Sequence, residues 1–123
     1  MPEKPLLLSL AARAAGHAAA RHAATARNIA HAETPGYRAR EVAPFDPNQT
    51  GGLALRRSDS RHLAASGTAT SPRETRAPAD ATGNTVALQD QVLAAVDASR
   101  AHGRAVTVYR ASLDLLRASV GGR

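Results

Sequence analysis

From Leu6 to about Ala32 the chain carries no proline, and its apolar positions recur at helical spacing. Leu8, Ala12, Ala15, Ala19, Ala23, Ala26 and Ala30 step by three and four, a mean of about 3.67, which predicts one nearly straight stripe on a helix. At 1.5 Å per residue that helix is ~39 Å long. Arg13, His17, Arg21 and Asn28 are expected on its far side, and Leu6 and Leu10 off the stripe, toward a second partner. Small residues along a stripe let another helix approach closely. Near the other end, Val92, Val96, Ser99, Gly103, Val106, Tyr109, Leu113, Leu116 and Val120 recur at a mean of 3.5, the period of a coiled-coil seam. A second helix is expected from Thr85 or just beyond to about Ser119, closed by Gly121-Gly122. Gly103 costs about 1 kcal/mol against Ala in a helix interior. With Ser99 it thins the seam, which predicts a close approach or a bend there.

Between the two periodic stretches the pattern breaks. Pro44, Pro47, Pro72 and Pro78 interrupt it, and Gly51-Gly52 and the Ser/Thr/Ala tract at 66–71 loosen it further. Within this stretch Val42 and Phe45 follow a turn, Leu53-Ala54-Leu55 suits a short strand, and Asp59 suits the cap of a helical turn through His62 and Leu63. The expected fold is all-α: residues 1–40 form an N-terminal helix and turn, 41–84 an extended loop, and 85–123 a C-terminal helix. The helices pack antiparallel as a coiled coil, in one domain. A loop this long is unusual inside a compact domain, so it is expected to order on assembly.

The first helix must end at Thr34-Pro35-Gly36-Tyr37. Proline disfavours helical geometry in the residue before it. Pro35 presets φ at the second position of a turn, and Gly36 supplies the positive φ that a type II turn needs at the third. Tyr37, one of three aromatic residues, sits where the reversing chain presses back onto the helix.

Composition shifts the picture from monomer to assembly. Of 123 residues, 29 are alanine, while Leu, Ile, Val and Phe number 21, roughly 17% and low for a domain folding alone. Burying a Leu or Val is worth about 1.5–3 kcal/mol, and ordering each residue costs a similar amount. The apolar stripes are therefore expected to be buried against other subunits. No apolar run reaches the length of a membrane span. Lys4, the leucines at 6–8 and Ala18-Ala19-Ala20 imitate a secretion signal. Arg13 and His17 interrupt its core, so no cleavage is expected.

Reactive chemistry finds little footing. With no cysteine, thiol chemistry and disulfides are excluded. His17 and His31 are about 21 Å apart along one helix, and no histidines on it pair at i, i+4, so a metal site is not expected. Asp59, Ser60 and His62 hold the residue types of a catalytic triad without a scaffold to orient them. Gly51-Gly52 lacks the Lys and Ser/Thr of a phosphate loop. No enzyme, cofactor or small-molecule substrate is expected. The net charge of +6, with Arg56, Arg57, Arg61, Arg73 and Arg76 in the middle, makes a basic nucleic-acid-binding protein the alternative. Against it stand the absence of a DNA-binding motif and the scarcity of aromatic surface for base stacking.

The stretch Asn28-Ile29-Ala30, followed by Thr34-Pro35-Gly36-Tyr37-Arg38-Ala39-Arg40, resembles the motif that closes the N-terminal helix of bacterial flagellar rod proteins. Asp59-Ser60-Arg61-His62-Leu63 and Gly83-Asn84-Thr85-Val86 extend the resemblance, which covers both ends and one point of the middle. The sequence departs from the family pattern at His31, where Asn is common, and at Ala87, where Asp is common. Loss of that acid removes a favourable contact with the helix dipole. The resemblance implies a self-assembling structural subunit of the basal-body rod, in the periplasmic space, exported uncleaved by the flagellar type III apparatus for motility. It implies as partners other rod proteins, the MS-ring adaptor FliE and the export gate. The motif residues carried over are Asn28, Ile29, Ala30, Thr34, Pro35, Gly36, Tyr37, Arg38, Ala39, His62, Gly83, Asn84, Thr85 and Val86. Val92, Val96, Gly103, Val106, Tyr109, Leu113 and Leu116 are the expected assembly seam.

Overall fold

The computed structural model describes residues 6–48 and 70–122. Helix α1 spans Leu6–Ala30, strand β1 Arg40–Glu41, strand β2 Arg73–Glu74 and helix α2 Leu88–Gly121. Alanine has the highest helix propensity of any residue, and α1 is alanine-rich throughout. The two helices pack against each other antiparallel, in coiled-coil fashion, and the chain between them returns along one side of α1. There β1 and β2 pair antiparallel, Arg40 opposite Glu74 and Glu41 opposite Arg73. The expected strand at Leu53-Ala54-Leu55 and the turn at Asp59 to Leu63 lie outside the described residues.

The face each helix buries differs from the one its periodicity suggested. In α1 the buried residues are Ala11, His17, Ala18, Ala24, Thr25 and Asn28, whereas Ala12, Ala19, Ala23, Ala26 and Ala30 are exposed and Leu8 and Ala15 half-buried. His17 and Asn28, expected on the far side, face inward. The reason is that alanine surrounds this helix on every side, so apolar spacing alone does not pick a face. The polar groups that bind the returning chain pick it instead. In α2 the buried residues are Ala98, Ala105 and Ser112. They repeat every seven residues, as do Ala11, Ala18 and Thr25 on α1, and a seven-residue repeat is the coiled-coil period. Small side chains bring the backbones together. The predicted seam is displaced around α2: Val92, Val96, Ser99, Gly103 and Val120 are exposed, and Val106, Tyr109, Leu113 and Leu116 are half-buried at its edge. Among the described residues nothing lies within 4 Å of a Cβ built at Gly103, so no close approach is made to it there.

Buried hydroxyls in this interface bond within their own helices. Ser112 donates to the Val108 carbonyl at 2.8 Å and Thr25 to that of His22 at 2.9 Å, which satisfies groups that would otherwise cost about 1–3 kcal/mol each. Large apolar side chains lie outside it: Leu6, Leu93, Leu115 and Val120 are 83, 66, 71 and 79% exposed. Among the described residues no helix is long and apolar enough to cross a membrane.

Candidate functional site: the clasp at the helix junction

Helix α1 ends at Ala30, two residues earlier than expected, where its hydrogen bonds tighten into a turn. The helix first tightens: the His31 N–H is shared between the carbonyls of Arg27 and Asn28, and that of Ala32 turns to Ile29. The Asn84 amide nitrogen then lies 2.9, 3.0 and 2.9 Å from the carbonyl oxygens of His31, Ala32 and Thr34. Two N–H groups are thus shared among three carbonyls of the turn that follows the helix. The other end of the Asn84 amide accepts the N–H of Val86 at 2.7 Å. Asn84 is buried, so this one side chain ties the end of α1 to the approach to α2.

The Thr34–Tyr37 turn closes as its sequence requires. Tyr37 N–H donates to the Thr34 carbonyl at 3.3 Å, and Gly36 sits at φ +73°, the left-handed region a type II turn demands at its third position. Gly36 N–H is bound in turn by the Thr82 carbonyl at 3.0 Å. Gly83, at φ +82°, rests against Gly36; a Cβ on Gly83 would meet the Gly36 Cα at 3.5 Å. Thr85 completes the join: its N–H donates to the Tyr37 carbonyl at 3.1 Å, and its hydroxyl accepts the Ala39 N–H at 2.8 Å. These bonds also explain why α2 starts at Leu88 rather than Thr85. The backbone of residues 82–86 is committed to the turn, and Ala87, which caps α2, offers no side-chain hydrogen bond.

Asn28 is the second anchor. At 1% exposure it uses all its hydrogen-bonding capacity. Its nitrogen donates to the Arg40 carbonyl at 2.7 Å and to Gln91 Oε1 at 2.8 Å. Its oxygen accepts the Arg40 N–H at 3.0 Å and the Tyr37 hydroxyl at 3.2 Å. Only one orientation of the amide satisfies this set, since a carbonyl cannot donate. Helix α1, the turn, β1 and α2 therefore meet on a single side chain. Over it the His31 ring stacks on Tyr37 with centroids 4.6 Å apart, and His31 Nδ1 lies 3.2 Å from the Thr34 hydroxyl.

An acidic loop props the clasp from outside. The Asp80 carboxylate accepts the Thr82 hydroxyl at 2.7 Å, the Thr82 N–H at 2.8 Å and the Asn84 N–H at 3.0 Å. These bonds, the Thr82 hydroxyl first, hold its pKa below the ordinary aspartate value, against a smaller opposing effect of desolvation. Further along, His17 Nε2 donates to the Ala43 carbonyl at 2.6 Å, and Arg13 reaches the carbonyls of Asp46 and Pro47 while lying over the Phe45 ring. The return strand is thus pinned along α1.

No protein-family model matches the chain, and no curated protein matches it.

The two motif stretches, about fifty residues apart in sequence, form one hydrogen-bonded unit. Asn28, Thr34, Gly36, Tyr37, Ala39, Gly83, Asn84, Thr85 and Val86 belong to it directly, and Ile29, Ala30, Pro35 and Arg38 lie on the same segments. His62 lies outside the described residues. Asp80, Thr82 and Gln91 were not singled out from sequence. The Asp80-Ala81-Thr82-Gly83 tetrapeptide carries an Asx-turn signal that identifies the first two, whereas Gln91 has no local signal. Among the described residues no three His, Asp or Glu side chains gather into a set able to hold a metal ion. Chemically the arrangement holds backbone segments at fixed geometry.

Proposed function

We propose that the chain is a structural subunit of the proximal rod of the bacterial flagellar basal body, most similar to the rod protein FlgB, acting by self-assembly in the motor's drive shaft. The observation that supports this reading most is the clasp. Motif residues that resemble the rod family at two distant places meet as one interlocked unit, the relation expected of a motif whose role is to set two long helices against each other. The Thr-Pro form of the turn and the Gly83-Asn84-Thr85-Val86 element favour FlgB over its neighbour FlgC, which shares the N-terminal motif but usually carries Thr after its Thr. Exposed apolar residues on both helices supply surface for neighbouring subunits. The partners in this reading are homologous rod proteins, FliE and the export gate, and the product reaches the periplasmic rod uncleaved.

Deleting the gene should abolish swimming, and the wild-type gene should restore it. Complementation with Leu113→Asp should fail, because a carboxylate in a subunit contact is left unpaired at high cost. Arg110→Asp, at an exposed position, should swim nearly normally, since surface charges contribute about 0–1 kcal/mol. A deletion strain that swims normally would refute the reading.

A further inference from the structure

A hollow of about 340 Å³ opens beside the clasp, lined by Gly36, Tyr37, Arg27, Arg38 and Arg40, with Glu74 as its single carboxylate. None of these three guanidinium groups takes part in an ion pair or side-chain hydrogen bond among the described residues. Three unpaired arginines beside a glycine and a tyrosine ring suit a ligand that joins carboxylates to an apolar side chain. Guanidinium groups favour carboxylate partners through their planar fork of donors.

The same chain carries such a surface. On α2, Asp90, Leu93 and Asp97 are spaced i, i+3, i+7 and so lie on one helix face. All three are exposed, Leu93 by 66%, and neither aspartate has an ion-pair partner among the described residues. Asp114, by contrast, is engaged with Arg117 at 3.3 Å. Arg100 and Arg104 follow on that face, so its acidic part spans about two turns, short enough for one hollow to cover. We propose that the arginine-lined hollow is a docking site for the Asp90–Leu93–Asp97 face of a second copy of this chain, Leu93 entering over Gly36 and Tyr37 and the aspartates meeting the arginines. The two surfaces differ, so a contact made once per pair of subunits is head-to-tail and leads to a ring or an open series of subunits. The proposal deepens the assembly reading above and rests on it only for its biological setting.

Sedimentation of the purified full chain tests it without a flagellum. Wild type should form concentration-dependent oligomers at about 0.05 M salt that dissociate at about 0.5 M, as exposed charge pairs are screened. The double variant Arg38→Glu/Arg40→Glu should associate at least about tenfold more weakly, and so should Asp90→Arg/Asp97→Arg. Mixed together they should associate again, because each supplies the surface the other lacks and the reversed pair is complementary. That recovery cannot come from misfolded chains. A monomeric wild type, oligomers that ignore both reversals, or a mixture that stays monomeric would overturn the proposal. So would retention by the wild type of duplex DNA, lost in Arg38→Glu/Arg40→Glu, without self-association, since the hollow would then be a phosphate site.

Discussion

At the residue scale the fold rests on amide side chains rather than on apolar bulk. Asn28→Ala would leave the Arg40 N–H and carbonyl, the Tyr37 hydroxyl and Gln91 without their partner. An unsatisfied buried group costs about 1–3 kcal/mol, so the substitution should destabilise the chain by about 3 kcal/mol, measurable as a lower urea midpoint. Gly36 is different in kind. At φ +73° a side chain is strained by about 1–2 kcal/mol, although space is open around it. Gly36→Ala should therefore cost that much, and Pro35→Ala less, about 0.5 kcal/mol, through added freedom of the unfolded chain. Equal costs would speak against the turn. Asp80 adds a pH dependence. Its pKa is lowered on folding, so its contribution is present above the ordinary carboxylate pKa and is lost as pH falls through the lowered value. The Asp80→Asn variant should lose that part of the acid dependence in a pH series of melting temperatures, and an unchanged profile would contradict the role given to the carboxylate.

At the element scale, what was legible and what was not divide along physical lines. The turn was legible because proline and glycine constrain φ locally, wherever the rest of the chain lies. The existence of both helices was legible because propensity and spacing act over many residues. Their buried faces were not, for opposite reasons. In α1 alanine lies on all sides, so burial was decided by His17 and Asn28 reaching the return strand, contacts made across 26 and 12 residues of sequence. In α2 the large residues of the 3.5-residue seam misled, because the partner helix within the chain comes close enough to select Ala98, Ala105 and Ser112. Those positions should resist enlargement. Ala98 is fully buried, and Ala98→Leu should cost about 1–3 kcal/mol by overpacking, whereas Val96→Leu, on the exposed seam, should leave the unfolding midpoint unchanged. The start of α2 falls just beyond Thr85, at Leu88, and only the contacts of Thr85 with Tyr37 and Ala39 reveal that Thr85 itself belongs to the clasp.

At the scale of the whole molecule, the helices bury small side chains against each other and leave several large apolar ones exposed. Among the described residues alanines fill the interface between the helices, while Leu6, Leu93, Leu115 and Val120 stand outside it. In the rod reading those side chains are covered by neighbouring subunits, and the clasp fixes the angle at which the helices present them. The claim that this chain is built into the rod is tested most directly by its presence in the organelle. Hook–basal bodies purified from the native host and stripped of loosely bound protein should contain the chain, identified by peptide mass spectrometry, at an abundance comparable with the other rod proteins. Its absence from intact, rod-containing basal bodies would contradict the account.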